Sequence, residues 1–555
     1  MGRAPRARRV GLMVVVVLAI VGAAIAVGMN ATGMSGPATA MAPPRFVDET
    51  VAAGVGHRYD GDFEFFVGGG VAVFDCDDDG RPDLYFAGGT EPAALYRNVG
   101  LVGGPLAFEP VPDATTDLDS VTGAYPLDID GDRRMDLAVL RFGENLLLRG
   151  LGDCRFERAN ETWGFDGGAG WTTAFSATWE GDAALPTLAL GDYIQLPLGA
   201  DGSERCSDNM LVRPEAGGTR FAAPLPLAPG WCSLSMLFSD WDRSGRRDLR
   251  ISNDRHYYRD TSDGEEQMWR VVDGELPRAY TEADGWRTVR IWGMGIASQD
   301  LTGDGHPEVF LSSQADNKLQ TLEDGADGPT YRDIALRLGV TAHRPYAGDV
   351  ALGSTAWHPE FQDVNNDSFT DLFISKGNVE AMPDFAARDP SNLLLGQTDG
   401  TFVEVAEEAG IVDFDRARGA ALVDLNMDGM LDLVQVHRRT DVRLWRSVGW
   451  GDAAAPKPMG HWIALRLDQP GADPDAVGAW IQVRIGERLV EREVTVGGGH
   501  AGGQFGWIHF GLGSASRAEV RVQWPDGEFG PWLSVEADGF VRIERGASRA
   551  VRWAP

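Results

Sequence analysis

A chain of 555 residues, 43% of them hydrophobic, has the material for more than one buried core. With 82 acidic against 50 basic residues its formal net charge is −32. That balance argues against nucleic-acid binding and against adhesion to anionic lipid, since both want a basic surface.

Arg3, Arg6, Arg8 and Arg9 stand in a basic cytoplasmic segment, residues 1–9, ahead of an uncharged apolar run at 10–29. A helix of that length spans about 30 Å, the thickness of a bilayer core, so an uncleaved membrane anchor is expected. A secretory signal cleaved after Ala38-Thr-Ala40 is the alternative. On either reading the arginines stay in the cytoplasm and the remainder is extracytoplasmic, periplasmic or at the cell surface, and secreted if the segment is cleaved. Arg8-Arg9-Val-Gly-Leu loosely resembles a twin-arginine export signal. Residues 30–45, small and rich in Pro and Gly, are expected to form a flexible tether.

Six Asp-rich loops of one design follow. The first places Asp75, Asp77, Asp79 and Asp83 at positions 1, 3, 5 and 9, and the second places Asp128, Asp130, Asp132 and Asp136 there. Asp240, Asp242, Ser244 and Asp248 come next, then Asp300, Thr302, Asp304 and Glu308. Asp363, Asn365, Asp367 and Asp371, then Asp424, Asn426, Asp428 and Asp432, complete the set. Oxygens so spaced repel one another unless a hard cation sits among them, and calcium accepts about six to eight. Glycine at position 6, as at Gly80, permits the positive φ of a tight turn. The carbonyl of Arg81 at position 7 is an expected further ligand. One such loop could be a solvated acidic turn. Six in register, each leading into an apolar strand such as Leu84-Tyr-Phe-Ala, predict bound Ca2+. Closure at position 9 distinguishes them from an EF-hand.

Loop starts lie 53, 112, 60, 63 and 61 residues apart, a period that points to a solenoid, propeller or array. The 112-residue gap is two periods, so a repeat without the ligands is expected around 178–190. Each unit runs apolar strand, Asp loop, second strand, a third segment such as Asn392-Leu-Leu-Leu, and a fourth such as Phe402-Val-Glu-Val. Four short strands per repeat make a propeller blade. The sequence thus predicts an all-β, seven-bladed β-propeller with calcium loops over residues 46–449. Phe46-Val-Asp-Glu looks like an outermost strand yet precedes the first loop, and the last repeat lacks one. Residues 46–50 are therefore expected to complete the seventh blade and hide two sheet edges. From 457 to 555 the metal loops cease, and alternating segments at 461–467, 480–485, 490–496 and 518–524 predict a small antiparallel β-sandwich.

The repeats resemble the FG-GAP/VCBS type, the integrin-α-like propeller family, over roughly residues 46–449. That resemblance implies calcium loops between the first two strands of each blade and leaves the function open. Val477-Gly-Ala, Gly497-Gly-Gly, His509-Phe-Gly-Leu-Gly513 and Val522-Gln-Trp-Pro-Asp-Gly527 look like the ASPIC/UnbV domain, which follows such propellers in proteins similar to the cartilage acidic protein family. Trp480 and Trp507 are bulkier than that domain leads one to expect, which would alter its exposed face.

Cys206 and Cys232 bracket an irregular stretch between the third and fourth repeats and are expected to pair. Cys76, at a non-ligand position of the first loop, and Cys154, in an outer turn, are expected to be free. No HExxH, GxSxG, CxxC or P-loop pattern occurs. One polar and aromatic stretch, Asn253, Arg255, His256, Tyr257 and Tyr258 with Trp269, is a possible ligand surface, against the plainer reading of an elaborated loop packed on its neighbour. The expected function is an exported, calcium-binding, non-catalytic interaction or adhesion module. Its partner is an extracytoplasmic protein or glycan, and it meets the membrane only through the N-terminal segment. The alternative is a propeller enzyme acting on extracellular carbohydrate or a small anionic ligand, through the central pore or the 253–269 region.

Overall fold

The computed structural model describes residues 2, 42–199, 205–254, 264–341 and 352–555. Contacts divide the chain into two units, Met1–Ala40 and Met41–Pro555. The apolar run at 10–29 lies outside the described residues, among which no helix is long and apolar enough to cross a membrane.

Seven four-stranded antiparallel sheets fill residues 45–449. The first is a meander of Val71–Phe74, Asp83–Phe86, Ala94–Asn98 and Phe108–Pro110. The first strands of successive sheets lie side by side: Val71–Phe74, Val121–Leu127, Thr172–Thr178, Ser233–Ser239, Gly293–Gln299, Ala356–Gln362 and Arg416–Val423. The last of these lies beside the first, so the sheets form the ring of a propeller. Each sheet packs between two neighbours, which is why strands such as Val121–Leu127 are buried at every position and lack polar alternation.

The N-terminal strand closes the ring. Arg45–Asp48 pairs antiparallel with Arg443–Gly449, with Phe46 opposite Ser447, and Phe46 packs in a cluster with Trp445 and Phe373. The third sheet is built from Thr172–Thr178, Thr187–Asp192, Asn209–Val212 and Leu225–Leu227. The stretch between Cys206 and Cys232, expected to be irregular, therefore holds this sheet's two outer strands. Pro226 interrupts the outermost one, a place where a missing amide is tolerated, and so masked its pattern.

The C-terminal domain is a pair of four-stranded sheets. One orders Ile508–Gly513, His461–Asp468, Gly539–Glu544 and Val551–Trp553; the other orders Arg488–Glu493, Trp480–Ile485, Arg517–Gln523 and Leu533–Glu536. Ile463, Leu465, Ile481, Val483, Val520 and Val541 fill the core between them. The sequence predicts an antiparallel sandwich, but one pairing departs from that, because His461–Asp468 runs parallel to Gly539–Glu544.

Between Glu493 and Ile508 the chain leaves the sandwich and enters the centre of the ring. Val73 N–H donates to Gly503 O (3.0 Å), Ala124 N–H to Ala501 O (3.2 Å) and Ala177 N–H to Val496 O (3.1 Å). Gly498 N–H donates to Met236 O and Gly499 N–H to Ile296 O, each at 2.7 Å. Five inner strands thus grip one segment. A Cβ at Gly70 or Gly123 would lie 1.8 or 2.1 Å from Ala501 O, so only glycine permits the approach. His500 is buried there, its Nδ1 3.1 Å from Met294 O and its Nε2 3.3 Å from Gly68 N, and burial pushes its pKa down to about 3.

Candidate metal centres

Every Asp loop joins the end of an inner strand to the start of the second strand, and position 9 is that start. Asp83 faces Phe74, Asp136 faces Leu127, Asp371 faces Gln362 and Asp432 faces Val423 across the ladder. Asp248 and Glu308 occupy the same place opposite Ser239 and Gln299.

The position-9 carboxylates are clamps. Asp83 accepts from Cys76 N–H (2.8 Å) and Asn98 N–H (2.7 Å), and Asp136 from Ile129 and Gly150 (both 2.7 Å). Asp371 accepts from Val364 and Gly396 (both 2.9 Å), Asp432 from Leu425 (2.9 Å) and Ser447 (2.8 Å). Each therefore ties its loop to the third strand of its sheet. Burial raises all four pKa values well above the usual carboxylate range.

Position 1 leaves oxygens over. Asp75 Oδ2 accepts from Gly80 N–H (2.9 Å) and Asp240 Oδ2 from Gly245 N–H (3.0 Å), while Oδ1 of each is buried with no hydrogen-bond partner. At position 3, Asp130 Oδ1 and Asn426 Oδ1 are orphaned in the same way. An unsatisfied buried acceptor costs about 1–3 kcal/mol, so this donor set suits a hard cation. In the first two loops three carboxylates converge: Asp75, Asp77 and Asp83 offer oxygens within 4.8 Å of one another, as do Asp128, Asp130 and Asp136. Burial pushes Asp75 up to about 6 and Asp128 up to about 7. The turn has positive φ at position 6, as expected, and also at position 4, where Asp78, Arg243, Asn366 and Met427 adopt it without being glycine.

In the other loops protein donors meet more of the side-chain oxygens. Asp248 accepts from Trp241 Nε1 (2.9 Å), Tyr280 OH (2.7 Å) and Arg246 Nε (3.1 Å), so a guanidinium supplies positive charge there, and Ser244 is exposed beside it. Glu308 accepts from Thr321 Oγ1 (2.7 Å) and Leu301 N–H (2.8 Å), and Asp300 from Gly303 and Gly305, with Thr302 and Asp304 along the same turn. In the sixth repeat Asp363 accepts from Asp367 and Ser368 N–H, and Asn365 Nδ2 donates to Asp367. In the seventh, Asp424 accepts from Asp428 and Gly429, and Asn426 donates to Asp428. Arg81 pairs with Asp79, Arg149 with Asp130 and Asp132, and Arg246 approaches Asp242 at 3.8 Å. In the third sheet Glu180 occupies the equivalent turn and accepts from Arg213 at 2.7 and 2.9 Å.

The structure joins Cys206 to Cys232. Cys76 and Cys154, expected to be free, are joined as well, with Cα atoms 4.6 Å apart. The outer turn of the second sheet lies across the first Asp loop, and Cys154 N–H donates to Cys76 O (3.0 Å). Assigning the two residues to separate repeats hid a contact that neighbouring sheets make. Trp480 is not on an exposed face either, because it is buried with Arg243 stacked 3.9 Å from its ring. Trp507 Nε1 donates to Gly80 O (3.0 Å). In the expected ligand surface, Asn253 is buried and bonded to Glu265 O and Ser233, and Trp269 sits in the core of the fourth sheet. Arg255, His256, Tyr257 and Tyr258 lie outside the described residues.

Residues 75–139 match the FG-GAP-like repeat family and residues 469–550 the family described as ASPIC and UnbV. The chain is similar to cartilage acidic protein 1 of Xenopus tropicalis, 22% identical over 262 residues that make up 42% of this chain and 37% of that protein. It is also similar to cartilage acidic protein 1 of Mus musculus, 27% identical over 182 residues, 30% of this chain and 25% of that one. The matches thus span well under half of these relatives' own length. Among solved structures it resembles BBS1N in complex with ARL6DN, soaked with lead, at a TM-score of 0.42 and 10% identity over 75% of this chain and 100% of that chain. The chain is a β-propeller that carries an FG-GAP-like repeat at residues 75–139 and a C-terminal ASPIC and UnbV domain, and is similar to cartilage acidic protein 1.

Proposed function

We propose that this protein is an exported, calcium-binding, non-catalytic interaction module, presented outside the membrane to an extracytoplasmic protein or glycan. The observation that carries the reading is the pair of three-carboxylate clusters at Asp75, Asp77, Asp83 and Asp128, Asp130, Asp136, where buried oxygens lack donors. These residues would hold calcium, with Asp79 and Asp132 alongside, and the loops at 300, 363 and 424 would hold further ions. Calcium supplies charge neutralisation and stiffness there. Two disulfides support export, since such bonds persist in oxidising compartments. An enzyme working through the pore needs that space open, whereas residues 496–504 occupy it.

Calcium titration and thermal melting of the full chain, with millimolar calcium and with chelator, test the ion. Binding at tenfold excess over Kd adds about 1.4 kcal/mol per site, so the midpoint should rise. No calcium uptake and an unchanged midpoint would remove the ion from the account. Glycan and envelope-protein arrays test the partner, and turnover of any arrayed glycan would favour the enzyme instead.

A further inference from the structure

The C-terminal domain rests on the Asp loops themselves. Trp507 Nε1 donates to Gly80 O in the first loop, where Trp553 lies so close that a Cβ at Gly80 would meet its ring at 2.2 Å. Arg133 of the second loop pairs with Asp468 (2.8 Å). Arg243 of the 240–248 loop donates to Gln523 (2.8 Å), and Arg247 to Pro525 O (3.0 Å). Asn366 of the 363–371 loop is bonded to His509 Nε2 (2.6 Å) and accepts from Gly513 N–H (2.8 Å). A Cβ at Gly511 would lie 2.0 Å from Asp363 Oδ2, and one at Gly429 would lie 1.9 Å from the Trp462 ring. Five of the six loops thus touch one domain, mostly through the residues at positions 4 and 6 that the turn conformation aims outward.

The seat carries charges of both signs, with Arg243 3.3 Å from Glu491 and Arg492 donating to Gln362 (2.9 Å). Arg466 stands between Asp75 (4.0 Å) and Asp475 (3.8 Å), and Glu493 accepts from Ser239 Oγ (2.7 Å) and Asp240 N–H (2.9 Å). A cavity of about 180 Å³, bordered by Asp75, Asp424, Arg466, Asp475, Glu493 and His509, separates ring and sandwich. Elsewhere Met427 of the 424 loop packs against Trp462, Ala464 and Phe540 of the sandwich.

We propose that the Asp loops are a cation-set seat for the C-terminal domain: filled, they lock the domain and its pore segment 496–504 onto the ring, and emptied, they release both. This inference rests on the calcium reading above. Losing the ion frees the turns that present Gly80, Arg133, Asn366 and Gly429. Because coupling is reciprocal, loosening the domain must weaken calcium binding by the same factor by which calcium strengthens docking.

Hydrogen exchange of the full chain, in millimolar calcium and in chelator, with calcium uptake measured on the same sample, tests it. Amides of Gly498, Gly499 and Phe505, which donate to ring carbonyls, should exchange about tenfold faster or more without calcium. Amides of Trp480–Ile485, held within the sandwich, should not change. Uptake with unaltered exchange at 498–505 overturns this inference alone, whereas no uptake overturns it together with the calcium reading. Trp553→Ala, a change near the chain end, should weaken calcium binding about threefold or more. Unchanged affinity in a folded variant also overturns the proposal.

Discussion

Replacing Gly123 by Ala probes how tightly the tail segment is lodged in the ring. A Cβ there would lie 2.1 Å from Ala501 O, 2.8 Å from its carbonyl carbon and 3.0 Å from its Cα. Ordinary contact is about 3.5 Å, so the tail has to retreat by about 1 Å or more. Overpacking of this kind costs about 1–3 kcal/mol. Loss of the bond from Ala124 N–H to Ala501 O adds about 1 kcal/mol. Alanine in a strand recovers about 0.5–1 kcal/mol over glycine, and Gly123 has no positive φ to protect. A net loss of about 1–3 kcal/mol corresponds to roughly 5- to 150-fold faster exchange at Gly498 and Gly499. Gly56→Ala, with nothing within 4 Å, serves as control and should stay within about 0.5 kcal/mol. Wild-type protection in the Gly123→Ala protein would refute the placement of the Ala501 carbonyl.

Four further outcomes are expected. Burial raises Asp75 and Glu308 to about 6 and Asp128 to about 7; raised folded values stabilise below the unfolded pKa and are lost as pH rises through 6 to 7. In chelator the melting midpoint should therefore fall between pH 5 and 7.5 and calcium should restore it, and a flat chelator profile would contradict this. His509 is buried and pushed down to about 3, so its neutral form stabilises above pH 6.5 and that advantage shrinks on acidification; the gap between wild type and His509→Gln should narrow by about 2–3 kcal/mol by pH 4.5, and a constant gap would sink the point. Non-reducing peptide mapping should find Cys76–Cys154 and Cys206–Cys232, and Cys154→Ser should cost up to about 4.5 kcal/mol for a separation of 78 residues; oxidised protein with free thiols at 76 and 154 would rule the first bridge out. A chain starting at Gly54 should aggregate through the bared edge of Arg443–Gly449 while one starting at Pro43 should not, and equal solubility and melting would show that the ring does not depend on Arg45–Asp48.

The ring was legible because its signal is periodic. Asp83, Asp136, Asp371 and Asp432 occupy one register position, and the spacing of their loops gave the sheets away even across the third, where Glu180 and Thr187 replace the ligands. Phe46 was legible by likeness to Phe402. Less legible was what each carboxylate does, since its roles use the same residue type: Asp83 at position 9 is bound to two amides, whereas Asp75 and Asp240 at position 1 each keep an orphan oxygen. Nor could periodicity place Cys154 beside Cys76, because that contact crosses from one sheet to the next. Gly497-Gly-Gly was legible only as part of the ASPIC/UnbV resemblance, not as a segment lodged in the ring. The missing signal was its complement, the glycines at 70 and 123 that leave room for a carbonyl.

In ring order the sheets carrying the 363, 424, 75 and 128 loops are consecutive, and the strand pair Arg443–Gly449 with Arg45–Asp48, where the circle is fastened, falls in their midst. The third and fourth sheets, away from that fastening, neutralise their turns with Arg213 and Arg246. Arginines also reach the 75 and 128 loops, Arg81 at Asp79 and Arg149 at Asp130 and Asp132, so counter-charge built into the chain is spread around the ring. Every sheet of the ring but the last is a meander of consecutive strands, so Arg45–Asp48 alone has to come from the far end of the chain to fasten the circle.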